Sequence, residues 1–166
     1  MDLDEYKEMT ARREYIPGGS PAHELMHGMS AEAQKITSRI NCGYHTQEEL
    51  RELFSELIGK EVGEGFALFP PVYSDFGKNI TVGKNVFINS GCCFQDQGGV
   101  ELGDGTLVGH QVVFATLNHD LDPDRRAGMY PALIKTGRNV WIGSHATLLA
   151  GVTVGDNAVI AIQCGS

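Results

Sequence analysis

The chain has 166 residues, 42% of them hydrophobic, and a formal net charge of −8 at pH 7. That length admits one compact domain with a small attachment, and the apolar content is enough for a core, which excludes wholesale disorder. The acidic balance argues against nucleic acid or an anionic membrane as partner, since both demand a positive footprint, and no stretch reads as a signal peptide or a membrane span.

The first sixty residues carry helical signals. Asp2 is placed to cap a short helix bearing Leu3, Tyr6 and Met9. The Gly18-Gly19 pair breaks it, and Ser20 followed by Pro21 starts a second helix. Leu25, Met29, Ala33, Ile36 and Ile40 then fall on one helical face. Within this helix His23, Glu24 and His27 match H-E-x-x-H, the zinc-hydrolase pattern. Both imidazoles share a face, as zinc requires, but they lie largely opposite the apolar stripe and no third ligand follows. A chance match is the simpler reading. Thr46 and Glu49 form a capping-box pair ahead of Leu50, Leu53, Phe54, Leu57 and Ile58, and Gly59 ends that helix.

Beyond about residue 78 the period becomes six. Large apolar residues recur at Val82, Ile88 and Phe94, then at Leu102, Val108 and Phe114, then at Ile142, Leu148, Val154 and Ile160. Gly-Lys-Asn, Gly-Asp-Gly, Gly-Arg-Asn and Gly-Asp-Asn stand between them and suit sharp corners. No helix repeats at six; short strands joined by corners do, which predicts a parallel β-helix with three faces per coil. Two interruptions stand out: an insertion around Asp96-Gln97-Gly98-Gly99, and an irregular segment, 117–133, that leaves the repeat. A loop thrown out of a rigid solenoid is where function concentrates.

Four cysteines, Cys42, Cys92, Cys93 and Cys164, have neither zinc spacing nor a disulfide framework. On a strand, Cys92 and Cys93 point to opposite faces. Reduced thiols in a cytoplasmic protein are the expectation.

Phe69-Pro70-Pro71-Val72-Tyr73, Ile80 to Asn85, Leu117-Asn118-His119 and Asn139 to Ser144 together resemble the galactoside and maltose O-acetyltransferases, bacterial hexapeptide-repeat enzymes. The resemblance implies a left-handed parallel β-helix over 61–166 behind a helical amino-terminal cap over 1–60. It also implies a homotrimer with sites between subunits, and transfer of acetyl from acetyl-CoA to a sugar hydroxyl, with no metal required. That chemistry needs a base to take the hydroxyl proton, and a largely neutral imidazole suits it. Of six histidines only His119 lies in the ejected segment, and His119 aligns with the family's catalytic histidine. His110 and His145 sit at corners inside repeats.

By the same resemblance Asn89 is the second catalytic residue, while Asp75, Phe87, Asp96, Gln97 and Met129 fall at acceptor positions. Gln97 stands where the family frequently has a second acidic residue. Trp141, Ser144 and Ile162 fall at coenzyme positions. Family members continue with further coils, a Thr-Lys pair and a basic loop that hold the coenzyme. This sequence instead reaches Ile160-Ala161-Ile162-Gln163-Cys164-Gly165-Ser166, which reads as a truncated or altered member. A non-catalytic trimeric scaffold is therefore the alternative, with zinc hydrolysis through His23, Glu24 and His27 a further one.

Overall fold

The computed structural model describes residues 1–161. Three helices come first: α1 (Leu3–Ala11), α2 (Pro21–Asn41) and α3 (Gln47–Ile58). Each starts where a side chain answers main-chain N–H groups that the first turn leaves unpaired. Asp2 and Glu5 form a reciprocal box, Ser20 Oγ accepts the His23 N–H, and Thr46 and Glu49 form a second box. Gly59 ends α3 at φ 67°, a left-handed conformation that costs glycine little.

The remainder is a wound ribbon of short strands. In chain order they are β1 (Ala67–Leu68), β2 (Val72–Ser74), β3 (Ile80–Val82), β4 (Phe87–Ile88), β5 (Cys92–Gln95), β6 (Val100–Leu102), β7 (Leu107–Val108) and β8 (Val113–Ala115). They continue as β9 (Leu117–His119), β10 (Met129–Pro131), β11 (Ile134–Thr136), β12 (Trp141–Ile142), β13 (Thr147–Leu149), β14 (Thr153–Val154) and β15 (Val159–Ile160). Strands one coil apart pair in parallel and build three faces. The first holds β1, β4, β7, β12 and β15; the second β2, β5, β8 and β13; the third β3, β6, β11 and β14. This is the three-sided parallel coil that the sixfold period predicts.

Inward positions alternate with outward ones along each strand. Leu68, Ile88, Val108 and Ile142 stack inside the first face, and Ile80, Val100 and Ile134 inside the third; all are buried. Inside the second face the Phe94 and Phe114 rings stack with centroids 4.7 Å apart. Cys92 points inward and is buried, whereas Cys93 points outward and is half-buried, and neither is in a disulfide. Corners take left-handed residues: Asn85, Gly105, Asn139 and Asn157 between the third and first faces, and Gly91, Gln111 and His145 between the first and second. Asparagine is the favoured alternative to glycine there because its short amide tolerates positive φ.

The first coil would present bare edges on all three faces, a liability in any solenoid. The amino-terminal segment answers each one. Gln47 pairs both main-chain groups of Leu68, donating from Nε2 at 3.0 Å and accepting at Oε1 at 3.2 Å. Asn41 does the same for Val72, at 2.9 Å both ways. Lys60 Nζ donates to the Ile80 carbonyl at 3.3 Å. Below these contacts Leu50, Phe54, Leu57 and Ile58 of α3 continue the core, Phe54 stacking on Phe66 at 4.7 Å. A second, smaller core joins α1 and α2 to the ejected segment through Tyr6, Ile16, Ala22, Met26, Phe76, Leu117 and Met129. Among the described residues no helix is long and apolar enough to cross a membrane.

Candidate active site

The ejected segment is an antiparallel hairpin of β9 and β10, with His119 opposite Met129. Its root is fixed by the insertion at 96–99. Gln95 Oε1 accepts the Leu117 N–H at 3.2 Å, and Thr116 Oγ1 accepts the Gly98 N–H at 2.8 Å. Gly98 must lack a side chain here, since a Cβ would stand 2.7 Å from the Thr116 carbonyl oxygen and 2.9 Å from the Ala132 nitrogen. On the far side the segment before α2 adds a third strand-like contact, Ile16 and Met129 exchanging N–H and carbonyl bonds of 2.9 Å each.

At the hairpin tip His119 is exposed, and its Nδ1 lies 2.8 Å from the Arg126 carbonyl oxygen. A carbonyl only accepts, so Nδ1 carries the proton of the neutral ring and Nε2 keeps its lone pair. The ring lines an open depression of about 610 Å³ with Asn118, Asp120, Leu121, Arg126 and Tyr130. That arrangement can accept a proton from a hydroxyl entering the depression.

At the same edge of the solenoid, where the second face turns into the third, stand Asp75, Asp96 and Gln97. Asp75 is exposed at its tip, and partial burial raises its carboxyl above the ordinary range, against the opposing effect of the Gln97 amide. Asp96 is fully buried. Its Oδ1 accepts from Ser74 Oγ at 2.9 Å and from the Phe76 N–H at 3.1 Å, while Oδ2 has no partner among the described residues. Burial pushes this carboxyl up to about 6. Gln97 is buried beside it, its main-chain carbonyl oxygen accepting from Tyr6 Oη at 3.3 Å. Asp96 thus stands behind the surface, whereas Asp75 is exposed. Met129, on the hairpin itself, is buried in the smaller core.

The other positions lie elsewhere. Asn89 is at the corner between the first and second faces, half-buried, and its Oδ1 accepts the Ser90 N–H at 2.9 Å, which leaves the amide NH2 as a donor. Phe87 and Trp141 stand in register in the outer column of the first face, on either side of Leu107. Ser144 holds the same corner as Asn89 two coils on, its Oγ accepting the His110 N–H at 3.1 Å. The structure therefore sorts these residues into two groups. Asp75, Asp96, Gln97, Met129 and His119 lie at one edge of the second face; Phe87, Asn89, Trp141 and Ser144 lie at or beyond the other. A strand as long as β5 keeps the edges about 13 Å apart. Within one chain the two groups do not meet. Ile162 lies outside the described residues.

Two features of the site escaped sequence reasoning. Asp120 is buried, and Tyr15, from far upstream, lies against its carboxylate. The two histidines of the H-E-x-x-H pattern both lie on α2. His23 Nδ1 accepts the Gly19 N–H at 3.1 Å, which puts the neutral ring's proton on Nε2, and the His23 and His27 rings meet edge to face at 4.6 Å. Among the described residues no group of three His, Cys, Asp or Glu side chains converges to hold a metal.

Comparison with known proteins adds three findings. A family model described as the hexapeptide repeat of succinyl-transferase matches residues 79–110, and one described as bacterial transferase hexapeptide (six repeats) matches 134–161. The galactoside O-acetyltransferase of Escherichia coli is 36% identical over 72% of this chain and 60% of its own length. A Dictyostelium discoideum protein named as an acetyltransferase is 33% identical over 90% of this chain and 77% of its own. Among solved structures, a hexapeptide-repeat acetyltransferase of Vibrio cholerae complexed with acetyl-CoA superposes with a TM-score of 0.75 at 28% identity, covering 94% of this chain and 84% of that one. The chain spans only 52–60% of the length of several curated relatives it matches.

Proposed function

The chain belongs to the hexapeptide-repeat acetyltransferases of the galactoside and maltose O-acetyltransferase type, and from that premise we propose that it transfers acetyl from acetyl-CoA to a hydroxyl of a sugar or sugar-like acceptor. The observation that carries this reading is the His119 tautomer, which leaves Nε2 as the free acceptor. Acetyl-CoA supplies an activated thioester. Nε2 of His119 takes the acceptor proton while Nδ1–H stays on the Arg126 carbonyl, so the ring does not turn as it charges. The coenzyme thiolate then takes that proton from Nε2 as it leaves.

Asn89 presents amide N–H groups suited to the developing oxyanion. Asp75 is the exposed polar contact for the acceptor, with Gln97, against its side chain, and Asp96 supporting it from behind and Met129 and Phe87 as apolar walls. Trp141 and Ser144 serve the coenzyme; the half-exposed indole offers it a flat apolar surface.

Since His119 and Asn89 stand at opposite edges of one face, a complete site requires the His119 edge of one copy against the Asn89 edge of the next. That is a head-to-tail contact, which forms a ring where its rotation closes, and a homotrimer is the closed ring proposed. The outer column of the first face supports it: Leu107, Trp141 and Val159 are 48%, 50% and 60% exposed in the single chain. Such an apolar stripe is suited to burial between protomers. A cytoplasmic setting agrees with the free Cys42, Cys92 and Cys93.

Purified protein mixed with acetyl-CoA and a panel of galactosides and maltose tests the reading. Wild type releases free coenzyme, and His119→Ala slows release about 10²–10⁴-fold. Equal rates for the two reject His119 as the base. No release with any acceptor favours the scaffold instead.

A further inference from the structure

The 120–126 loop that faces His119 is organised around two carboxylates: exposed Asp122, whose Oδ1 accepts the Asp124 N–H at 3.0 Å and whose Oδ2 lies 3.4 Å from Arg125 Nε, and Asp120. Asp120 is buried beside the exposed tip. Its Oδ1 accepts the Asp122 N–H at 3.0 Å. Its Oδ2 accepts from Tyr130 Oη at 3.4 Å and lies 3.5 Å from Arg125 Nε. Arg125 is the residue before Arg126, whose carbonyl holds His119 Nδ1. One side chain thus ties the start of the loop to its end, one residue from the group that fixes the imidazole.

The Asp120 carboxylate is in turn held from outside the hairpin. Tyr15 lies against Asp120, and its ring meets Tyr130 at 4.8 Å. Its hydroxyl rests over Gly128, where any Cβ would collide with it. Asp120 and Gly128 are themselves paired, the Asp120 N–H donating to the Gly128 carbonyl at 3.0 Å. Glycine at 128 therefore makes room for Tyr15, Tyr15 packs on Asp120, and Asp120 closes the loop.

We propose that Asp120, held by Tyr15 of the amino-terminal arm, is a positioning residue that keeps the Arg126 carbonyl on Nδ1 of His119 and so holds the ring in its Nε2-basic tautomer. The proposal rests on the reading of His119 as base, but its effect on the ring is measurable without substrate. Loss of the carboxylate leaves the loop to Asp122 and to the Arg126 side chain on the Leu121 carbonyl, and the Arg126 carbonyl is held less firmly on Nδ1. The neutral imidazole then distributes its proton over both nitrogens, and the fraction competent to accept at Nε2 falls. The residues proposed for the coenzyme, Trp141 and Ser144, have no contact with Asp120 within the chain, so its binding should change far less than turnover.

The test is ¹⁵N spectroscopy of the His119 ring in full-length protein, with steady-state kinetics on the same samples. Wild type shows one neutral tautomer, protonated at Nδ1. Asp120→Ala shows a tautomer mixture and a kcat lower by about tenfold or more, with the KM for acetyl-CoA changed far less. Asp120→Asn, which keeps an acceptor for the Asp122 N–H, recovers part of both. Tyr15→Phe removes a single oxygen at a partly exposed position and shifts both readouts in the same direction, so it serves where the alanine variant does not fold. An unchanged Nδ1-protonated ring in Asp120→Ala, or in Tyr15→Phe where the alanine variant does not fold, overturns the proposal. Were His119→Ala as active as wild type, the base assignment would fail while the tautomer result still decided the positioning role.

Discussion

Asn41 meets the main chain of Val72 as a strand would, donating from Nδ2 to its carbonyl and accepting its N–H at Oδ1, both at 2.9 Å. A helix-borne amide thus stands in for the coil that would otherwise precede the first one. Asn41→Leu leaves a buried N–H and carbonyl unanswered, and the expected loss of stability is about 1–3 kcal/mol. Urea titration of Asn41→Leu and Gln47→Leu checks this. A midpoint equal to wild type for both variants would mean that the first coil needs no such cover.

Asp96 makes stability depend on pH in an unusual direction. Its folded carboxyl is raised to about 6 by burial, above the ~3.9 of an unfolded aspartate. The folded state therefore holds the proton more tightly, and stability from this group is complete below pH ~4 and lost as pH rises through about 6. Ionisation in place costs on the order of 3 kcal/mol. Asp96→Asn cannot ionise, so it should raise Tm at pH 8 and do little at pH 4. The same Tm difference at both values would refute the burial argument.

Two glycines predict opposite outcomes for one chemical change. Gly98→Ala drives a methyl against the Thr116 and Ala132 main chain at the hairpin root, for an expected loss of about 1–3 kcal/mol together with lower turnover. Gly28, within α2, has nothing within 4 Å of the place a Cβ would occupy, and Gly28→Ala should stabilise by roughly 0.5–1 kcal/mol. Thermal melts of the pair decide it, and equal shifts would show that the hairpin root is not tightly packed.

Local rules made the elements readable. Ser20 with Pro21, and Thr46 with Glu49, mark helix starts because each cap acts within four residues. The sixfold recurrence of apolar residues carries the coil because each inward position is filled independently of its neighbours in space. His119 was accessible for the same reason: it sits where the period fails. Asn41, Gln47 and Tyr15 were not, because their partners are 31 residues away, 21 residues away or, for Tyr15, far along the chain at Asp120. No spacing in the chain announces such pairs. The depth of Asp96 was hidden too, since an inserted segment has no period from which an inward or outward direction could be read.

The arrangement of the site between copies is tested most directly by subunit complementation. Asn89→Ala alone should lower kcat about 10²-fold or more, as loss of an oxyanion donor does, and His119→Ala removes the base. Co-expressing the two variants under separate tags gives mixed rings. If each site takes His119 from one protomer and Asn89 from the next, every mixed trimer has one intact site, and about a quarter of wild-type activity returns. Activity no higher than that of the parent variants, in samples where mixed rings are recovered through both tags, would contradict a site shared between neighbours.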